Sequence, residues 1–372
     1  MNPPSLFSPI SIGPQTLPNR IMISPMCQYS GNNGNPNDWH IAHLGSLALS
    51  GAGLLFVEAT SVSPEGRITA GCLGLYNDEN HQSLKRVVDA VRAISPIKLA
   101  IQLGHAGRKA SSHRPWEGGA LMSVQEGGWQ TIAPSALPHK VDETPPKAMT
   151  AADIHRVTDD FISATQRARE LGFDVIEVHC AHGYLLHEFL SPLSNQRSDE
   201  YGGSLENRMR LPLAIFDAVR KAAGHNMAVG VRLSATDWAE GGWDLEQSIA
   251  FSRQLQAHGA DFVDISSGGV AAHQKITLGP GYQVPFAEAI RKEISIPVIT
   301  VGLITEPQQA EDIIREGKAD IVALARAFIS DPRWPWRAAA ALGGKVAGSP
   351  PYFRCLPHGF PPIFGDVKTN QR

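Results

Sequence analysis

Short runs of aliphatic and β-branched residues recur along the chain, each followed by a longer stretch whose apolar positions fall three and four apart. Eight runs read as strands, at 20–24, 54–59, 98–103, 175–179, 228–233, 262–266, 297–301 and 321–324. Between them, 82–94, 154–171, 205–222, 245–258 and 307–316 read as helices, several closed by a glycine. Eight strands alternating with helices is the number that closes a (β/α) barrel, so the pattern predicts an α/β fold, a single TIM-barrel domain over 1–372. A doubly wound open sheet alternates in the same way, but no GxGxxG turn follows the first strand.

Within the strands the polar residues fall on one face. Glu177 and His179 oppose Ile176 and Val178, Gln102 opposes Ile101 and Leu103, Arg232 opposes Val231 and Leu233, and Asp264 and Ser266 oppose Val263 and Ile265. The apolar set is expected to meet the helices, and the polar set to point into the barrel near the strand ends, where barrel enzymes build their sites. An ion pair between Arg232 and Glu177, on neighbouring strands, accounts for that arginine as well as a cofactor contact does. Residues 106–150, rich in Gly, Pro, Ser and Trp, are too long for an ordinary connection and predict a capping insertion after strand 3; 343–372 form a C-terminal extension.

Composition narrows the function. A formal net charge of -3 over 372 residues lacks the basic excess of a nucleic-acid binder. The sequence has no apolar run long enough for a membrane span and no secretory signal pattern, which predicts a cytoplasmic protein. Cys27, Cys72, Cys180 and Cys355 are widely spaced and form no CxxC pair, so they read as free thiols.

The densest chemistry lies just past the fourth strand, where His179, His182 and Tyr184 put two imidazoles and a phenol within six residues. Singly, each is better explained as a packed, hydrogen-bonded structural residue. Together they suit a carbonyl oxygen held beside a proton donor. The YGGSLENR that follows reads as scaffold, with a turn at Gly202 and Gly203, a cap at Ser204 and a helix from 205. After strands seven and eight, Gly302, Ala325 and Arg326 match the place where barrels bind phosphate. With Gln102 and Arg232 they suit flavin mononucleotide (FMN) lying across the barrel mouth, Arg232 facing the negative charge that grows near N1 on reduction.

Three rivals share this pattern. A metal-dependent barrel hydrolase would ligate zinc through His179, His182, His187 and Glu177, a Schiff-base lyase would need an inward lysine at a strand end, and a flavin-binding protein would bind without turnover.

Four motifs, SPMCQYS at 24–30, VEATSVSPEGR at 57–67, IQLGHAGRKA at 101–110 and HCAHGYLLHEFLSPLSNQRSDEYGGSLENR at 179–208, carry a resemblance over nearly the whole chain. The chain resembles the Old Yellow Enzyme family, NADH:flavin oxidoreductases, particularly its bacterial class with a cysteine after the first strand. That resemblance implies FMN contacts from Pro25, Met26, Cys27, Ala59, Gln102, Arg232, Gly302, Ala325 and Arg326. It implies that His179 and His182 grip the substrate oxygen, Tyr184 donates the proton, Cys27 tunes the flavin and Tyr29 lines the substrate pocket. The implied activity is a ping-pong reduction, by NADPH or NADH, of alkenes activated by a carbonyl or nitro group, with no metal. The YFR at 352–354 resembles a segment that reaches a neighbouring subunit, which implies a homo-oligomer, dimer or tetramer, with Arg354 at the partner's site.

Overall fold

The computed structural model describes residues 4–365. Strands β1 (Ile10–Ile12) and β2 (Gln15–Leu17) form an antiparallel hairpin ahead of β3 (Ile21–Ile23). Then follow α1 (Asp38–Ala48), β4 (Leu54–Ser61), α2 (Asp78–Ile94) and β5 (Lys98–Gly104). Residues 105–150 form an arm holding the short parallel pair β6 (Ile132–Ala133) and β7 (Lys147–Ala148). Beyond it run α3 (Ala151–Glu170), β8 (Val175–Cys180), α4 (Leu185–Leu190), α5 (Leu205–Ala223), β9 (Ala228–Ser234), α6 (Leu245–Ala257) and β10 (Phe262–Ser266). The described chain continues with α7 (Val284–Arg291), β11 (Val298–Thr300), α8 (Pro307–Arg315), β12 (Ile321–Leu324), α9 (Arg326–Ser330) and α10 (Trp334–Leu342).

The eight predicted strands are β3, β4, β5, β8, β9, β10, β11 and β12, and they close into one parallel barrel in that order. Ends differ from the sequence reading by one or two residues. The hairpin went unread because three-residue strands leave no periodicity; its Ile12 and Leu17 pack with Met22, Leu54 and Phe56 of the barrel interior. Helix α1 also went unread, since Gly45, Ser46 and two histidines dilute its apolar stripe. Helix α4, six residues long and just past β8, is likewise absent from the helices that the sequence pattern predicts.

Alternation divides the apolar residues into two layers. Ile101, Leu103, Ile176, Val178, Val231, Leu233, Val263 and Ile265 face outward into the helix layer, as expected. Ala100, Val175, Ala228 and Phe262 face inward. Phe262 is fully buried, a gain of about 1.5–3 kcal/mol. Its ring fills the space beside Gly230, where a Cβ would lie 2.5 Å from ring atoms. Above this plug the inward positions turn polar, and register aligns them: Ala59 beside Gln102, Gln102 beside Glu177, His179 beside Arg232, and Arg232 beside Asp264.

Two devices hold the loop after β3. A register shift between Val57 and Ala59 inserts Glu58 as a bulge residue, and its Oε2 accepts the Gln28 N–H at 3.0 Å. Asn37 caps α1 by accepting the Trp39 N–H at 3.1 Å, while its Nδ2 donates to Ser30 O at 2.7 Å. Asn37→Ala is expected to cost about 0.5–2 kcal/mol, read as a lowered midpoint in urea unfolding.

Candidate active site

Past β8 the chain makes a left-handed turn at His182 (φ 61°) and Gly183 (φ 72°) before Tyr184 starts α4. A Cβ on Gly183 would lie 2.1 Å from Gly269 O, so only glycine fits there. His187 braces the turn from below: its Nδ1 accepts the Gly183 N–H at 2.8 Å, and its Nε2 donates to Asp237 Oδ1 at 2.9 Å. Asp237 Oδ2 in turn accepts from Ser191 Oγ and the Trp243 N–H, at 2.6 and 2.7 Å. From above, Lys109 Nζ donates to His182 O at 2.7 Å and Gly269 O at 3.0 Å.

So held, the three predicted residues converge. His179 lies 5.0 Å from Tyr184 and 5.2 Å from His182 between ring centroids, both edge-on, and Tyr184 is 6.5 Å from His182. Burial, aided by Arg232 and Lys109, holds both imidazoles well below their usual pKa, so both are neutral at pH 7. Burial also pushes the Tyr184 phenol well above its ordinary value and keeps it protonated.

Neutral rings present one N–H each, and their neighbours decide which. His179 Nδ1 accepts the Ala181 N–H at 3.3 Å, which leaves the ring proton on Nε2. His182 Nε2 lies 2.7 Å from Ser266 Oγ. Gln283 Oε1 takes the Ser267 hydroxyl at 2.5 Å and also accepts from Ser266 Oγ at 3.4 Å. Ser266 Oγ thus ties the His182 ring through Nε2 to Gln283. In Ser266→Ala this tie is lost, and an oxyanion ligand is expected to bind about tenfold more weakly, the worth of one hydrogen bond. Histidine ¹⁵N shifts report the change at His182 directly; unchanged shifts would refute the coupling.

The polar rung lies alongside. Gln102 Nε2 donates to Glu177 Oε1 at 2.7 Å. Arg232 Nε is 3.2 Å from Asp264 Oδ2, so its ionic partner is Asp264 rather than the expected Glu177. Register explains this, for Glu177 pairs with Gly230 while Arg232 faces Asp264 directly. Burial and the neighbouring Asp264 raise the Glu177 carboxyl to about 8, against the pull of Arg232.

Arg232, Ser266, Gln283, Gly302, Ala325 and Arg326 together line an open cleft of about 620 Å³. Ser24 Oγ, Glu177 Oε2, Arg232 Nε and both Asp264 oxygens are buried without a hydrogen-bond partner. Such unmet donors and acceptors at a barrel mouth suit a polar ring system with a phosphate tail.

Pro25, Met26 and Cys27 follow β3, and Ala59 lies beside Gln102. The Cys27 thiol is pushed up by burial and by Cys72 and Glu58, and all four cysteines are free. Tyr29 lines a second cavity with Arg108, Lys109 and His113 of the arm. Arg354 is exposed on the C-terminal segment; of the extension, 366–372 lie outside the described residues. Among the described residues no group of three or more His, Cys, Asp or Glu side chains could hold a metal ion, and no helix is long and apolar enough to cross a membrane.

Sequence reasoning missed Lys109, the Ser266 contact and the His187–Asp237 brace. Lys109 stood in a quoted motif and Ser266 on an inward face, but the brace joins residues 50 apart in sequence and leaves no local signal.

Known proteins carry the same architecture. The model of the NADH:flavin oxidoreductase / NADH oxidase family matches residues 5–343. An NADPH dehydrogenase of Geobacillus sp. (strain WCH70) is 44% identical over 351 residues, covering 94% of this chain and 98% of its own. The NADPH dehydrogenase of Bacillus subtilis (strain 168) is 40% identical with the same coverage. Morphinone reductase superposes with a TM-score of 0.76 at 31% identity, covering 94% of this chain and 92% of its own. A 2-naphthoyl-CoA reductase superposes with a TM-score of 0.83 at 27% identity, over 91% of this chain but only 52% of its own. The chain belongs to the NADH:flavin oxidoreductase / NADH oxidase family, the family of Old Yellow Enzyme, and is a flavin oxidoreductase of TIM-barrel fold.

Proposed function

We propose that the chain is an FMN-dependent ene-reductase that uses NADPH or NADH to reduce α,β-unsaturated carbonyl and nitro compounds by a ping-pong mechanism, within the bacterial class that carries an active-site cysteine. The observation that carries this reading is the convergence of two neutral imidazoles and a protonated phenol beside the polar rung of the barrel.

Gln102, Arg232 and the backbone around Pro25, Met26 and Ala59 would hold the flavin ring, with Gly302, Ala325 and Arg326 at its phosphate. FMN, when bound, supplies hydride transfer between the nicotinamide donor and the alkene. The protein supplies the rest. His179 Nε2–H and the His182 imidazole N–H donate to the carbonyl or nitro oxygen and stabilise the charge that grows there as the β carbon is reduced. Tyr184 gives its phenolic proton to the α carbon, and Cys27 and Tyr29 flank the ring and the substrate. The arm shields this face from water. Arg354 would serve the site of a neighbouring copy in a homo-oligomer, dimer or tetramer. Four free thiols fit the reducing cytoplasm.

The purified protein is expected to be yellow, to bleach with NADPH under anaerobic conditions and to regain colour on adding 2-cyclohexenone. Bleaching without reoxidation by the enone would leave a flavin-binding protein, and a colourless protein that takes up no FMN would end the proposal.

A further inference from the structure

Beyond Tyr184, the loop after β3 and the arm form the walls of an open pocket of about 670 Å³, counted to its mouth, whose lining includes Tyr29, Arg108, Lys109, His113, Lys140 and Glu143. Two of its cations are poorly compensated. Arg108, 6% exposed, donates to Leu137 O, Pro138 O and Val270 O, while its buried Nε has no acceptor. Lys109 donates to the carbonyls of His182 and Gly269, leaving its third N–H. Neither forms an ion pair with a carboxylate among the described residues. Glu188 spends Oε1 on the Arg108 backbone N–H at 2.9 Å, and Glu143 pairs with Lys140 at 3.8 Å on the rim. Buried cations are ordinarily paired, and a buried arginine beside a half-buried lysine, their hydrogen bonds made only to carbonyl oxygens, marks a place for an anion.

We propose that this cavity is an oxyanion subsite that takes a phosphate or carboxylate group carried by one of the two reactants. It adjoins the reacting centre, since Lys109 Nζ stands 5.0 Å from the Tyr184 ring centroid. Carbonyl contacts fix both cations in place before any ligand arrives, so an anion gains charge-assisted hydrogen bonds without ordering long side chains. The identity of the reactants rests on the ene-reductase reading; the charge argument does not.

The test compares the flavin-loaded wild-type protein with Lys109→Met. Calorimetry with inorganic phosphate needs no turnover: saturable binding with a Kd of about 1 mM or tighter is expected, weakened about tenfold or more in the variant. Absent binding, or equal affinity in both proteins, overturns the subsite. Two kinetic arms then locate the group. A drop in the NADPH-over-NADH preference for flavin reduction assigns it to the donor's phosphate, and a drop in the preference for 4-carboxycinnamaldehyde over cinnamaldehyde assigns it to the acceptor. Phosphate binding that depends on Lys109 with neither preference altered overturns the link to a reactant. Failure of the wild type to reduce cinnamaldehyde would strike the ene-reductase reading alone and leave the phosphate result standing. Should Lys109→Met not fold, Lys140→Met on the exposed rim serves instead, with a loss of about threefold.

Discussion

Tyr184→Phe is expected to slow reoxidation of the reduced flavin by 2-cyclohexenone by about 10²–10⁴-fold, while reduction by NADPH stays within a fewfold of wild type. The asymmetry follows from where the phenol stands. Packed edge-on to His179 at 5.0 Å and kept protonated by burial, it has a proton to give only when the alkene receives hydride. Phenylalanine keeps the ring, its contacts and the start of α4, so the packing is undisturbed and the missing hydroxyl is the sole chemical change. Stopped-flow traces of the two half-reactions separate the steps; equal slowing of both would remove Tyr184 from the proton-donor role.

His179→Ala is expected to cost about 2.7–4 kcal/mol in the same half-reaction, the loss seen when one oxyanion donor is removed. Phenols mimic the oxygen that these rings are proposed to hold, so their affinity should fall as well. The effect should exceed that of Ser266→Ala, which removes only the tie that orients the His182 ring. Absorbance titration with a phenol gives the ground-state loss and single-turnover kinetics the transition-state loss. Unchanged phenol affinity would take His179 out of the anion site.

The barrel was legible because its strands carry two independent signals, aliphatic runs and a consistent polar face. VIEVH and VGVRL each placed a charged residue opposite two aliphatics, and in both the apolar pair meets the helices. The histidine and tyrosine cluster was legible because it is local, three residues within six positions. Arg232's partner was not, because the inward faces of β8, β9 and β10 all carry charge and only register decides between Glu177 and Asp264. The contacts of the two imidazoles were equally out of reach, since Ala181 N–H and Ser266 Oγ reach the two rings through backbone geometry. Helix α1 shows the opposite failure, an amphipathic stripe too weak to read in a helix whose cap only the structure reveals.

The ties made by Arg108 and Lys109 bear on how substrate scope could be changed. These two residues fasten the base of the arm to the turn that carries His182 and to the loop after β10, so enlarging the pocket there would also loosen the proton donor's mounting. Residues 115–127, by contrast, hydrogen-bond only within the arm among the described residues. Libraries confined to that tip can diversify which molecules enter without detuning the chemistry, whereas libraries at the base would trade one against the other.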